Sequence, residues 1–178
     1  MTFVLIIVGL LVALGIAIGV IYNLIFDDED FETSPEAVQL ITEDILRNGN
    51  PNGRFYDLGS CYGTMAIRMQ AAIPTLHITA IEKSLFRHLV AKGRCLFKRN
   101  KPKFVWGNFL DHLDEPAEYK NIYLPRDFIR EFEDRLSRAC PPTTIFMYRV
   151  QFYKKEPAKV LPLSGFEQDT REVFRIYR

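Results

Sequence analysis

The sequence predicts an α/β fold in which a doubly wound, mainly parallel sheet carries a terminal antiparallel strand and is preceded by one N-terminal transmembrane helix. Two observations predict the sheet: strand-like and helix-like segments alternate from residue 54 onward, and the last two strand-like segments have no helical pattern between them. Such alternation is typical of parallel strands with helices on both faces. The third observation is a long apolar run near the start of the chain.

The apolar run extends from Phe3 to Phe26 and contains 24 residues without one charged side chain. A helix of that length, at about 1.5 Å per residue, covers the roughly 30 Å hydrocarbon core of a bilayer. A cleaved signal peptide would have a basic start, a shorter apolar centre and a small-residue cleavage site, none of which is present. We therefore predict an uncleaved transmembrane anchor over residues 1–26.

The rest of the chain is predicted to comprise a short acidic linker, residues 27–32, and one domain, residues 33–178. The formal net charge is only +1, which argues against a bulk nucleic-acid binder and against a disordered tail. Cys61, Cys95 and Cys140 form no CxxC pair, and only three histidines are present. These counts predict no disulfide framework and no metal site, and they fit a reducing compartment.

The domain is predicted to open with a helix, because Thr33 and Glu36 have capping-box spacing and Pro35 lies in the first turn. Turn residues at 49–53 end this helix. Further along the chain, the residue pattern predicts strands over 54–60, 77–82, 103–108, 121–124, 143–153 and 171–178, and helices over 64–73, 85–98 and 125–139.

The loop "DLGSCYG", residues 57–63, follows the first predicted strand, where ligands bind in open α/β sheets. Gly59 permits backbone angles closed to other residues and lets the main chain approach a ligand closely, and Gly63 does the same where the next helix begins. The spacing does not fit the GxGxxG pattern of nicotinamide and flavin sites. Asp57 would repel a pyrophosphate but suits a cation, such as the amino group of a cofactor that carries an amino acid.

These residues resemble the first motif of class I methyltransferases that use S-adenosylmethionine, in which an acidic residue precedes three alternating glycines. The loop matches at Asp57, Gly59 and Gly63, with Cys61 in place of the middle glycine. The resemblance implies a Rossmann-like fold, a Glu82 carboxylate that binds the ribose hydroxyls, and an Asn108 amide that reads the adenine edge. The residues predicted in this way to bind S-adenosyl-L-methionine are Asp57, Gly59, Ser60, Cys61, Gly63, Glu82, Lys83, Asn108 and Phe109.

A finer resemblance is to the small membrane-anchored protein-lysine methyltransferases, which have one apolar N-terminal helix, a segment like "FETSPEAV" and then a compact catalytic domain. The "YLP" segment at Tyr123 to Pro125 also matches. This resemblance implies a lysine of a membrane protein as the methyl acceptor and the lipid bilayer as a partner. Because S-adenosylmethionine is made in the cytoplasm and the cysteines are predicted to be unpaired, we expect the catalytic domain on the cytoplasmic side of the membrane, or on the organellar equivalent of that side.

Several alternatives stay open. DNA is disfavoured because "NIYLPRDF" lacks the Asn/Asp-Pro-Pro-aromatic motif of enzymes that methylate nucleobase amines, whereas RNA stays open because seven basic residues cluster within 87–103. A small-molecule acceptor and an inactive, cofactor-binding adaptor are further alternatives. No catalytic base is assigned, although Asp111, His112 and Asp114 follow the third strand and could line an acceptor pocket. The oligomeric state is not predicted.

Overall fold

The computed structural model describes residues 7–15, 17–18, 33–138, 142–163 and 173–178. The chain divides into two compact units, residues 1–31 and 32–178. In the first unit the described residues are helical, whereas the rest of the predicted transmembrane segment and the predicted linker, residues 27–32, lie outside the described residues. Among the helices that the described residues form, none combines the length and the apolar character needed to cross a bilayer.

The second unit is built around a seven-stranded sheet. Its described helices are α1 (Pro35–Asn48), α2 (Thr64–Ala72), α3 (Leu85–Arg94) and α4 (Arg126–Ser137), with a short 3-10 helix at Phe109–His112. Its described strands are β1 (Arg54–Leu58), β2 (His77–Glu82), β3 (Lys103–Trp106), β4 (Tyr119–Ile122), β5 (Thr144–Tyr148), β6 (Lys159–Pro162) and β7 (Val173–Tyr177). The strand order is β3-β2-β1-β4-β5-β7-β6. Strands β1 to β5 pair in parallel, and β7 is antiparallel to both β5 and β6, so the predicted fold class of the domain is confirmed.

The N-cap residue of helix α1 is Ser34, one residue after the predicted cap, Thr33. The Ser34 side chain accepts a hydrogen bond of 3.1 Å from the Ala37 backbone N–H, and Pro35 occupies the first turn. The prediction that Thr33 caps this helix is therefore wrong. Both residues have a short hydroxyl side chain of the kind that caps helices, and only the backbone geometry decides between them.

Several further boundaries differ from the prediction, among them β4, which lies at Tyr119–Ile122 rather than at 121–124. Strand β5 stops at Tyr148 rather than near residue 153, and the next residue, Arg149, has a left-handed φ of 60°, outside the extended conformation of a regular strand. The predicted loop before the last strand contains β6, a short strand at the edge of the sheet. Proline has no backbone N–H to donate, and an edge strand tolerates such a residue at position 162. Helix α3 ends at Arg94, and a turn follows it.

The sheet separates two apolar layers. On one face α1 and α2 bury Ala37, Ile41 and Met69 against the Phe55 side chain of β1. On the other face α4 and the 3-10 helix pack against the alternate strand positions, for example Leu58. Because neighbouring positions of β1 face opposite layers, the strand is fixed in register and holds the loop that follows it at the carboxyl edge of the sheet.

Candidate functional site

The loop after β1 turns sharply at three positions in the left-handed region. The φ values are 82° at Gly59, 50° at Cys61 and 72° at Gly63. The Gly59 and Ser60 backbone N–H groups both donate to the Ile81 carbonyl of β2, at 3.1 and 2.9 Å. The loop is therefore hydrogen-bonded to the neighbouring strand at the carboxyl ends of the two strands, which is the ligand-binding edge of such sheets.

Glu82 joins this loop to the start of α3. One carboxylate oxygen accepts from the Cys61 backbone N–H at 2.9 Å, and the other accepts from the Ser84 backbone N–H at 2.8 Å. The Glu82 side chain is buried, and Ser84 is itself the N-cap of α3. Since each carboxylate oxygen has a second lone pair, Glu82 keeps acceptor capacity for a ligand hydroxyl while it fixes the loop.

Asp57 lies beneath the loop and is almost fully buried. Its Oδ1 accepts a 2.8 Å hydrogen bond from the Asn121 side-chain amide of β4. Among the residues that the structure describes, the buried Asp57 Oδ2, Ser60 Oγ and Asn121 Oδ1 atoms have no hydrogen-bond partner. Buried polar atoms are seldom left unpaired, so this group of three polar side chains favours a polar, donor-bearing ligand at this place.

The charge on Asp57 is disfavoured in the folded protein. Burial raises the pKa of its carboxyl group to about 6. The Asn121 side chain and the Ala66 backbone N–H oppose this rise, whereas the nearby Glu82 carboxylate adds to it. A cationic group placed beside Asp57 would offset the cost of ionisation. Asp57 is thus a carboxyl group that lacks a cation within the part of the chain that the structure describes.

This raised pKa predicts a stability that falls with pH. The folded state holds the Asp57 proton up to about pH 6, whereas the unfolded chain releases it near 3.8, so the stabilisation is complete below 3.8 and is lost as the pH rises to about 6. Denaturant unfolding at a series of pH values measures this slope. The Asp57→Asn variant is expected to flatten the profile in that window, and an unchanged slope in this variant would assign the pH dependence to other groups.

The two glycines of the loop are needed for packing as well as for backbone angles. A Cβ atom at Gly63 would lie 2.7 Å from the Phe104 ring and 3.0 Å from the Ala91 Cβ, so the bare glycine lets α2 begin directly against α3 and β3. A Cβ atom at Gly59 would lie 2.9 Å from Leu124 Cδ2. At both glycines, therefore, the space that a side chain would occupy is bordered by other side chains of the protein itself.

Cys61 stands in a conformation that favours glycine, which predicts a stabilising substitution. A left-handed φ costs an ordinary residue about 1 kcal/mol or more, so Cys61→Gly is expected to raise the free energy of unfolding by about 1 kcal/mol. Urea unfolding at equilibrium measures the change. The matched control is Cys61→Ala, which removes the thiol but keeps the Cβ; an equal gain from alanine would attribute the effect to the thiol and not to the backbone.

The other side chains predicted to bind the cofactor, Lys83, Asn108 and Phe109, make no contact with Asp57 or Glu82 that the structure describes. Lys83 is exposed, and its Nζ lies 6.0 Å from the centre of the Phe128 ring. Asn108 caps the 3-10 helix, since its Oδ1 accepts from the Leu110 N–H at 3.1 Å. Phe109 is buried and packs edge-on against Phe128 at 6.1 Å between ring centres. The structure brings Asp57, Ser60, Cys61 and Glu82 together, whereas Phe109 faces the core.

Among the three residues proposed to line an acceptor pocket, the environments differ. Asp111 is exposed, and Asp114 is paired with Arg135 at 2.7 Å, which holds the pKa of the Asp114 carboxyl below its usual range. The His112 Nδ1 contacts Glu115 Oε1 at 2.7 Å. Glu115 also accepts a hydrogen bond from the Tyr56 hydroxyl, and burial together with this carboxylate raises the pKa of Tyr56 to about 12.

Sequence reasoning missed one residue of the site, Asn121, and it also missed the contact of Tyr56 with Glu115, the residue that holds His112. Asn121 pairs with Asp57 because β4 lies beside β1 with these two residues in register. The order of strands in a doubly wound sheet could have indicated that neighbour. No local signal marks the Tyr56 to Glu115 contact, which joins residues 59 positions apart.

Solved methyltransferase structures share this fold. An RNA methyltransferase from Salinibacter ruber, crystallised with S-adenosyl-L-homocysteine, matches with a TM-score of 0.68 at 16% identity, over 83% of this chain and 92% of its own. The B. subtilis tRNA methyltransferase TrmK matches with a TM-score of 0.56 at 12% identity, over 83% of this chain and 66% of its own. A S-adenosylmethionine-dependent methyltransferase from Thiobacillus denitrificans, also bound to S-adenosyl-L-homocysteine, matches with 0.53 at 20% identity, over 71% of this chain and 54% of its own.

A scan of protein-family models and a search of curated proteins found no match to this sequence. The structural matches show that residues of the second unit have the fold of class I methyltransferases, as the resemblance of the loop had implied. At these levels of identity the shared property is the fold, and chemistry must be argued from the residues of this chain.

Proposed function

We propose that this protein is a methyltransferase that binds S-adenosyl-L-methionine at the loop after β1. The observation that carries the proposal is a pair of buried polar atoms, Asp57 Oδ2 and Ser60 Oγ, that have no hydrogen-bond partner in the described part of the chain and lie at a loop that Glu82 holds in place. The cofactor offers a cationic amino group and two ribose hydroxyls, which match an anionic carboxyl group and a carboxylate with free lone pairs. The fold shared with S-adenosyl-L-homocysteine complexes supports the same choice.

Each residue has a defined task in this proposal. Asp57 neutralises the amino group, Glu82 accepts from the ribose hydroxyls, and the loop backbone follows the cofactor. S-adenosylmethionine supplies a methyl group on a sulfonium centre, and transfer to a nucleophile requires placement more than covalent catalysis. An amine acceptor must lose a proton, and His112, oriented through Nδ1 by Glu115, is the candidate that holds it.

Calorimetric titration of the full chain with S-adenosyl-L-methionine and with S-adenosyl-L-homocysteine tests the cofactor proposal. We expect saturable binding that strengthens as the pH rises through about 6, because a charged Asp57 attracts the amino group. Asp57→Asn is the matched variant and is expected to lose this pH dependence. Absence of heat with both ligands would contradict the cofactor site and would favour an adaptor that has the same fold but binds no cofactor.

For the methyl acceptor, we infer RNA or a small molecule as the first candidate class. The support is that two of the structural neighbours are by name RNA or tRNA methyltransferases and that basic residues cluster within 87–103. A lysine of a membrane protein is a second candidate, favoured by the apolar segment Phe3–Phe26 and by the "FETSPEAV" and "YLP" matches. In that case the chain is a single-pass membrane protein whose domain faces the cytoplasm or its organellar equivalent.

One labelling experiment separates these acceptors. Membranes, total RNA and a small-molecule extract from cells that lack this protein are each incubated with the full chain and cofactor labelled in its methyl group. Label on RNA or in the extract supports the first class, and label on a membrane-protein lysine, located by digestion and sequencing, supports the second. Labelling that persists in the Asp57→Asn variant at unchanged rate would contradict the proposed cofactor site.

A further inference from the structure

An apolar and basic surface lies beside the proposed site, at the edge of the sheet formed by α3 and β3. On α3 the residues Leu85, Phe86 and Leu89 share one exposed face, whereas His88 and Ala91 face the core. An exposed helix face normally carries polar side chains. The apolar members of this surface, here called the α3 surface, are Leu85, Phe86, Leu89, Leu96, Phe97 and Trp106.

The exposure of these side chains is large. Phe97 is 95% exposed, Trp106 59% and Leu89 55%. Trp106 belongs to the same surface as the start of α3, because its indole N–H donates to the Lys83 carbonyl at 3.0 Å. Clustered apolar exposure of this kind marks a surface that contacts another apolar phase or partner.

The charge of the α3 surface has one sign. Between Glu82 and Asp111 the sequence has no acidic residue and eight basic ones. Lys98, Arg99 and Lys101 are exposed and, within the described part of the chain, have no carboxylate partner. A positive rim around exposed leucine and aromatic side chains is complementary to an anionic surface with an apolar layer beneath it.

We propose that the α3 surface docks on the headgroup region of an anionic lipid bilayer. Leucine, phenylalanine and tryptophan side chains insert at the boundary of headgroups and acyl chains, while lysine and arginine bind the lipid phosphates. RNA would use the basic residues and the aromatic rings but would gain nothing from exposed leucines, since bases stack on aromatic rings. Protein interfaces are poor in lysine at their centres, so a protein partner fits this composition less well.

This inference goes beyond the proposed methyltransferase and does not depend on it. The α3 surface begins at Leu85, three residues after Glu82 at the carboxyl edge of the sheet, and reaches the segment 96–101, which precedes β3 at the amino edge. Docking therefore lays the length of α3 along the bilayer. The docking test needs neither cofactor nor methyl acceptor, so its outcome is separate from that of the proposed function.

The chain carries a built-in reporter, because Trp106 is its single tryptophan. Full-length protein is mixed with preformed vesicles of phosphatidylcholine, with or without phosphatidylglycerol, and tryptophan emission is recorded. We expect a shift to shorter wavelength and quenching by brominated acyl chains with the anionic vesicles, and a loss of both at high salt. The N-terminal apolar segment contains no tryptophan, so the emission reports the surroundings of Trp106 and not those of that segment.

Two double variants test the two halves of the proposal. Lys98→Gln with Lys101→Gln is expected to weaken vesicle binding about 25-fold, at about fivefold for each charge near the surface. Leu89→Ser with Phe97→Ser is expected to abolish the emission shift, and both positions are exposed enough for folding to be retained. Leu46→Ser, which alters an equally exposed leucine on α1, is the matched control and should leave the response unchanged.

Three results would overturn docking on a bilayer. In the first, oligouridylate quenches Trp106 while anionic vesicles do not, which would assign the α3 surface to RNA. In the second, neither ligand changes the emission. In the third, the Leu46→Ser control loses the response as fully as the Leu89 and Phe97 variant.

Discussion

Replacing Gly59 by valine is expected to abolish cofactor binding and to lower the free energy of unfolding by about 2 kcal/mol or more. Gly59 has a φ of 82°, a conformation that a β-branched residue adopts only with strain of about 1 to 3 kcal/mol. The new side chain would also meet Leu124, because even a Cβ atom lies 2.9 Å from Leu124 Cδ2. The loop must therefore move away from the proposed site, and its hydrogen bonds to Ile81 must weaken.

A matched variant separates the strained turn from the general cost of valine for glycine. Gly93 lies in the last turn of α3, has no left-handed φ, and has no atom within 4 Å of its would-be Cβ. Gly93→Val is expected to change stability by less than about 0.5 kcal/mol, since valine and glycine differ little in helix propensity. Calorimetric titration and urea unfolding measure both variants. Near-normal cofactor affinity in Gly59→Val would rule out the loop as the binding element.

The fold of the domain could be predicted because its signals are periodic and repeated. The parallel strands β1, β2 and β4 are short, mostly buried runs that are each followed by a helix pattern, so the alternation defines the sheet even where single boundaries are wrong. The end of β5 and the presence of β6 could not be predicted from such periodic signals. Arginine at 149 is not a turn-forming residue type, so nothing local indicates its left-handed φ. Strand β6 is only four residues long and exists through its pairing with β7.

The candidate site could be predicted as far as strand ends determine it. Asp57 and Glu82 lie near the carboxyl ends of the neighbouring parallel strands β1 and β2, so their proximity follows from topology alone. The directions of Asn108 and Phe109 depend on the 3-10 helix, which Asn108 caps and whose first ring packs on Phe128. Sequence spacing cannot show such a turn. The hydrogen bonds from the Cys61 and Ser84 backbone N–H groups to Glu82 could not be predicted either, because the loop conformation sets the direction of these groups.

Glu82→Ala is expected to weaken S-adenosylmethionine binding at least tenfold and also to destabilise the protein. The sequence alone predicts only the first effect, through the loss of hydrogen bonds from the ribose hydroxyls to a charged acceptor, at about 1.5 to 3 kcal/mol. The structure adds the second, because the Cys61 and Ser84 N–H groups lose their acceptor when the carboxylate is removed. We expect the free energy of unfolding to fall by about 2 kcal/mol or more.

The Glu82→Gln variant separates the two roles. Glutamine keeps the shape and one acceptor oxygen, so it can accept a hydrogen bond from one of the two backbone N–H groups. Its amide NH2 is itself a donor and cannot accept from the other. Its stability is expected to lie between those of the wild type and the alanine variant, whereas its cofactor affinity should fall nearly as far as that of alanine, because the charge is lost in both. Urea unfolding and calorimetry on the same preparations compare the three proteins. If the affinity of Glu82→Gln equals that of the wild type while Glu82→Ala is merely less stable, Glu82 fixes the loop and has no part in binding the ribose.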